Sequence, residues 1–249
     1  GADYGARIRG MRPKARILHC GEQAFSVELA DVIDENVNLR IISLAKDLKE
    51  NPPDGLVELI PSYRSLLVCF NPDQITGKAM ERVLLDRLDQ IHTPEENTGA
   101  LWDIPAVYGG EVGLDLDDLA YEKSLSPPEL IKLHSSSTYR IYMIGFAPGF
   151  CYLGGLPEAL HTPRLPQPRP NIPQGAIGIG GRQGSINSVA GPSGWRFIAW
   201  TPLKIFAPER LEPFLLRPGD RVRFVPVSAE EGSNLARRQA SGEIIVRPQ

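Results

Sequence analysis

The spacing of apolar positions changes several times in the first hundred residues, and each change predicts an element. Residues 16–20 and 24–29 have strand character and are joined at Gly21-Glu22. Over 39–49 the interval lengthens, with Ile41, Ala45 and Leu48 recurring at helical spacing. Asn51-Pro52-Pro53-Asp54-Gly55 stops that helix, because proline offers no N–H and glycine accepts the reversed backbone. Strands follow at 56–60 and 65–70. A second amphipathic helix over 74–91 aligns Ile75, Ala79, Val83, Leu88 and Ile91, leaving Glu81, Arg82, Asp86 and Arg87 for water. A strand at 101–107 closes the unit. Paired strands with two crossing helices predict a small α+β domain over 11–107. Residues 1–10, ahead of a plausible start at Met11, read as a vector remnant or a disordered start.

The texture then shifts through a helical bridge, 108–138. Ser126 suits an N-cap, with Pro127 and Pro128 in a first turn where their missing N–H groups have no partner to lose. That helix ends near His134. Between Gly145 and Asp220 lie 12 of the 23 prolines and 12 of the 24 glycines, interleaved with short β-rich runs. Such punctuation bends strands and shapes loops, so 139–228 reads as a mainly-β barrel. Its strands are expected at 139–144, 176–180, 185–189, 195–200, 204–206 and 221–227. Residues 229–249 read as a polar tail with one late apolar run at 244–246.

Composition narrows the function classes. At 42% hydrophobic residues the chain has material for a buried core and is not a disordered protein. Its 27 Lys+Arg nearly balance its 30 Asp+Glu, so no broad basic field exists to hold nucleic acid. Cys20, Cys69 and Cys151 are odd in number and scattered, which fits neither a disulfide framework nor a zinc knuckle and suits a reducing cytoplasm. No apolar run approaches the roughly 20 residues of a membrane-spanning helix, and the first residues lack the apolar centre of a signal peptide. The chain is therefore expected to be soluble and cytoplasmic.

Local chemistry motifs are incomplete. The run from Gly178 through Gly184 places Gln183 where a dinucleotide fingerprint needs its last glycine, and no P-loop string occurs. Gly191-Pro192-Ser193-Gly194-Trp195 lacks the final glycine of a nucleophile elbow, so Ser193 reads as a turn residue. Cys151 has no sequence-adjacent His or cation to activate it and reads as a packed thiol. His19, His92, His134 and His161 stand apart from one another, so no metal site is expected. His134 remains an acid/base candidate, although a helix C-terminus favours histidine for its own sake. Arg164 and Arg169 lie in a proline-stiffened stretch that either presents guanidinium forks to a carboxylate or phosphate or is simply a stiff surface connector. Gln183 is either a ligand-binding amide or a solvated loop residue.

The longest distinctive stretch is Gly145-Phe146-Ala147-Pro148-Gly149-Phe150-Cys151-Tyr152-Leu153-Gly154-Gly155-Leu156. It resembles the GFxPGFxYLGGL signature of the KipI family, which includes the B-type subunit of 5-oxoprolinase and allophanate hydrolase subunit 1. Supporting matches follow in order: Val107-Tyr108-Gly109-Gly110, Asp115-Leu116, Leu133-His134-Ser135, Thr162-Pro163-Arg164, Pro168-Arg169, Ile172-Pro173, Gly178-Ile179, Trp195, Thr201-Pro202 and the run Arg217-Pro218-Gly219-Asp220 through Phe224. Departures lie at Asn187-Ser188, where the family often has Tyr-Pro, at Ser193 in a Pro-Gly-Gly-Trp turn, and at Ala176-Ile177 in place of Ser-Val. They bear on substrate more than on fold, because packing tolerates such exchanges better than a hydrogen-bonded site does.

The resemblance implies an α+β N-terminal domain followed by a mainly-β cyclophilin-like barrel domain. It implies the B-type subunit of an ATP-dependent 5-oxoprolinase that opens 5-oxo-L-proline to L-glutamate with C-type and A-type subunits. ATP is then used at the level of the complex, and the chain alone is expected to be inactive. Two other functions stay open: a regulatory protein that inhibits a sensor histidine kinase, and a carboxyltransferase-like half of an allophanate or urea carboxylase system. For the site, His134, Arg164 and Arg169 are the catalytic candidates. Gly145, Phe146, Pro148, Gly149, Phe150 and Gln183 are the candidates for substrate binding.

Overall fold

The computed structural model describes residues 15–29, 35–62, 64–91, 99–144 and 151–249. Two compact units divide the chain, Gly1–Asn97 and Thr98–Gln249. Residues 1–10, read above as a remnant or disordered start, lie outside the described residues.

In the first unit, β1 (Arg16–His19), β2 (Ala24–Glu28), β3 (Leu56–Pro61) and β4 (Ser65–Phe70) form an antiparallel sheet in the order β1-β2-β4-β3. Strict alternation sends Phe25, Val27, Leu66, Val68 and Phe70 to one face. There they meet Ile41, Leu44 and Leu48 of α1 (Glu35–Glu50) and Met80, Leu84 and Leu88 of α2 (Gly77–Gln90). Thr76 starts α2 by accepting a hydrogen bond from the Ala79 N–H at 3.2 Å, and the i, i+4 spacing of its buried residues gives the helix its apolar stripe.

The second unit is a closed barrel. Its strands are β5 (Leu101–Tyr108), β6 (Tyr139–Ile144), β7 (Cys151–Gly154), β9 (Ala176–Gly180), β10 (Gln183–Ile186), β12 (Arg196–Trp200) and β13 (Arg221–Pro226), in the order β10-β7-β6-β13-β5-β12-β9. A short antiparallel ribbon, β8 (Arg169–Ile172) with β11 (Gly191–Ser193), stands beside it. Inside converge Trp102, Ile104, Tyr139, Ile141, Leu153, Ile177, Ile179, Ile186, Val222 and Phe224. This core is joined by Leu119 of α3 (Leu116–Glu122) and Leu130 of α4 (Pro127–Ser135). The start of α4 follows its sequence signal: Ser126 Oγ accepts from the Glu129 N–H, the Glu129 carboxylate accepts from the Ser126 N–H at 2.7 Å, and the prolines occupy the first turn.

Four sequence-based expectations are corrected. The strand at 101–107 belongs to the barrel: β5 pairs in parallel with β13 over six residues and antiparallel with β12. Its period-2 pattern revealed a strand but not the partner more than a hundred residues away. The 108–138 segment is not a separate bridge, because α3 and α4 contribute to the barrel core. The polar tail contains α5 (Ala229–Ala240), capped by Ser228 and packed so closely that a Cβ on Gly232 would lie 2.4 Å from Val107. Residues 204–206 form no strand; Phe206 makes only an isolated bridge with Phe214.

The Arg217-Pro218-Gly219-Asp220 turn fastens β13 to β5. The nearly buried Asp220 carboxylate accepts from Ala100 N (3.1 Å), Trp102 Nε1 (3.2 Å) and Arg217 N (2.9 Å), and Gly219 takes the left-handed conformation at φ 91°. Removing the acceptor strands buried N–H donors, so Asp220→Ala should cost the barrel about 3 kcal/mol. All three tryptophans, Trp102, Trp195 and Trp200, lie in this unit, so their fluorescence during urea denaturation reports its unfolding without signal from the first unit. A variant as stable as the parent would show that these contacts contribute nothing.

Candidate functional site

Motif residues distant in sequence meet in pairs. Tyr108, at the end of β5, lies with its Oη 2.6 Å from Nδ1 of His134 on α4. The His134 ring is fully buried, stacked on Phe224 at 4.8 Å, and its Nε2 has no hydrogen-bond partner. Burial pushes the His134 pKa down to about 3 and moves the Tyr108 phenol well upward. The expected acid/base at His134 is therefore corrected. The imidazole is neutral at physiological pH and enclosed in the core, where it positions Tyr108.

Asp115 and Arg169 form the second pair. The Asp115 carboxylate takes both arms of the guanidinium, at 2.6 and 2.5 Å, and also accepts from the Phe197 backbone N–H at 2.7 Å. This fork is committed to Asp115, whose hydrogen bond is the main cause raising the Arg169 pKa further. Arg169 thus ties β8 to the start of α3 and to β12. That is a positioning role rather than the catalytic one expected.

The remaining chemistry lies on the outer face of the barrel. Register places Tyr152, Ser185, Gly178 and Phe197 side by side across β7, β10, β9 and β12, opposite in parity to the inward Leu153, Ile179 and Ile186. Aromatic rings lie on bare glycine backbone here. A Cβ on Gly178 would come within 2.8 Å of the Phe197 ring, and one on Gly180 within 2.5 Å of Trp195. Ile172 of the ribbon packs with Ala176, Trp195 and Phe197. Arg164 is exposed with its guanidinium carbon 5.3 Å from the Trp195 ring centre, a cation–π contact, and no ion pair among the described residues takes its charge. Trp195 also meets Tyr152 edge-on at 5.9 Å. Burial raises the Tyr152 pKa while the Arg164 charge pulls against it. Gln183 is half-buried opposite Gly180, the glycine beneath Trp195.

Of the expected residues, the structure gathers Arg164 and Gln183 around Trp195 and places Arg169 in the adjoining clamp. His134 belongs to the inner core. Gly145, Phe146, Pro148, Gly149 and Phe150 lie outside the described residues. Cys151 is fully buried with its thiol pKa driven up by burial, so it is inert. Ser193 Oγ accepts from Trp195 N at 3.2 Å, as a turn residue does. Among the described residues no cluster of three or more His, Cys, Asp or Glu can hold a metal ion, and no helix is long and apolar enough to cross a membrane. Sequence reasoning named neither Tyr152 nor Ser185 as a site residue, and it noted Asn187 only as a departure from the family pattern. The available signal was the alternation of the polar Gln183, Ser185 and Asn187 with Gly184 and Ile186.

Comparisons with known proteins agree with this architecture. Residues 15–216 match the family model described as carboxyltransferase domain, subdomain C and D. The chain belongs to that family, and its resemblance to the KipI family is part of the same relationship. It is 42% identical over 214 residues to the B-type subunit of 5-oxoprolinase from Escherichia coli O157:H7, covering 86% of this chain and 96% of that one. The corresponding 5-oxoprolinase subunit of Bacillus subtilis (strain 168) is 36% identical over 231 residues, covering 89% and 96%. Among solved structures, TTHA0988 superposes with a TM-score of 0.74 at 33% identity; the match covers 83% of this chain but only 40% of that longer one.

The buried imidazole makes a pH prediction. Above pH about 6.5 His134 is neutral in both states and contributes no slope. Between that value and about 3 only the unfolded chain takes up the proton, so stability falls as pH falls. From pH 6.5 to 5 the parent barrel should lose about 2 kcal/mol more than His134→Asn, measured by tryptophan fluorescence in urea. Parallel profiles would show that the histidine is not held neutral.

Proposed function

We propose that the chain is the B-type subunit of an ATP-dependent 5-oxoprolinase, converting 5-oxo-L-proline to L-glutamate with C-type and A-type subunits. The observation that carries this reading is near-full-length similarity to two proteins named as the B-type subunit of 5-oxoprolinase. Opening a ring amide is unfavourable by itself, and ATP cleavage in the assembly offsets the stability of that bond. The chain contains no complete nucleophile or phosphate motif of the kinds sought in its sequence, consistent with activity only alongside its partners. In this reading Arg164 and Gln183 contact substrate at the outer face, with Arg169 holding the adjoining ribbon. The proposed site of action is the cytoplasm. The family description favours one second reading, a carboxyltransferase-like role that receives biotin from a separate carrier. Binding of a biotinylated carrier with biotin-dependent carboxyl transfer, and no 5-oxoproline turnover, would select it.

Reconstitution with A-type and C-type partners, ATP and 5-oxo-L-proline is the test, read as glutamate formed. Omitting this chain should abolish turnover, and the chain alone should produce none. Arg164→Met should lower kcat/KM about tenfold, a loss of about 1.4 kcal/mol in transition-state binding, while the barrel melts as before because the side chain is exposed. Full turnover without the chain contradicts the assignment; unchanged kinetics in the variant contradict the role of Arg164.

A further inference from the structure

On β10, side chains alternate between the two faces of the barrel wall. Ile186 points inward, whereas Ser185 faces outward, and continued pairing beyond the strand places Asn187 outward beside Ala176. Ser185 is fully buried and Asn187 is 3% exposed, yet neither Ser185 Oγ nor Asn187 Oδ1 has a hydrogen-bond partner. Buried polar atoms are almost always satisfied, and two orphans two residues apart on one strand face are a local exception. Their setting is apolar and aromatic: Tyr152 is the cross-strand neighbour of Ser185 on one side, and Gly178 with the Phe197 ring above it lies on the other. Gly178 also leaves room for the hydroxyl, since its Cβ would lie 3.0 Å from Ser185 Oγ.

The unmet valences define a ligand. Ser185 can donate its O–H to a carbonyl, and Asn187 Oδ1 needs a donor. A group offering a carbonyl and an N–H on one edge answers both. An open-chain amide is trans and points its N–H and C=O in opposite directions, but a five-membered ring forces the amide cis and puts both on the same edge. The methylenes of such a ring suit the surrounding aromatic surface. We propose that Ser185 and Asn187 read the amide edge of a small-ring lactam, with Arg164 at the rim taking a carboxylate on the same ring. This rests on the reading of the outer face as the substrate site. Because both side chains are closed to water in the unliganded chain, entry requires a local opening of their cover.

The test uses the full chain, alone and in the reconstituted assembly. By calorimetry, 5-oxo-L-proline and 2-pyrrolidinone should bind, whereas N-methyl-2-pyrrolidinone, without the N–H, and L-proline, without the amide, should bind at least tenfold more weakly. Ser185→Ala and Asn187→Leu should each weaken lactam binding about tenfold, or raise KM by that factor in the assembly. The unliganded variants should melt no lower than the parent, since each loses a buried unpaired polar atom. A melting point well below the parent's would mean that the side chains have structural partners, and would overturn the proposal. Equal lactam affinity in the variants, or no saturable lactam binding by chain or assembly, would do the same. If the assembly turns over 5-oxoproline with an unchanged KM in both variants, this inference fails and the proposed function stands. If lactam binds through the pair but no assembly produces glutamate, the proposed function fails and the binding site stands.

Discussion

The outer face of the barrel depends on one buried carboxylate. Asp115 stands at the start of α3 and is 7% exposed, so its charge has to be met inside the protein. Arg169 meets it with both guanidinium arms and the Phe197 backbone meets it with an N–H, while the Asp115 N–H donates back to the Phe197 carbonyl at 2.9 Å. Three pieces of chain are joined at that point: the α3 start, the β8–β11 ribbon and β12. A two-stranded ribbon is marginal by itself. Held here, it sets Ile172 against Phe197 and Trp195, the rings that lie on the glycines of β9.

The two surfaces of the barrel wall do different work. The inner surface is filled with large apolar side chains, and its one histidine is kept neutral by burial and fixed by Tyr108. The outer surface carries an exposed arginine over an indole, a half-buried amide and two polar atoms without partners. Glycines make this possible by letting aromatic rings approach the backbone of β9, so the wall stays flat where a Cβ would force the rings away.

Most elements were legible in the sequence because their signals are local. The Ser126 cap, the Pro-Pro first turn and the alternation in β2 and β4 depend only on neighbouring residues. The assignment of β5 failed because strand pairing is non-local: nothing in 101–108 says that its partner is 221–226. The site divided along the same line. Arg164 was legible as an arginine on a stiff, proline-rich stretch, and the structure places it at a rim. His134 and Arg169 carried the right motifs but are consumed by Tyr108 and Asp115, contacts spanning 26 and 54 residues. Ser185 looked like an ordinary polar position and Asn187 stood out only as a departure from the family pattern, since burial on the polar side of a strand becomes visible only when another part of the chain covers it.

Native-state hydrogen exchange on Arg169→Met tests the dependence of the outer face on Asp115 most directly. If the clamp organises this face, the amide of Phe197 and those of the ribbon at 169–172 and 191–193 lose protection together, while β6 and β13 exchange as in the parent. Unchanged protection in the ribbon, or an equal loss throughout the barrel, would contradict that account.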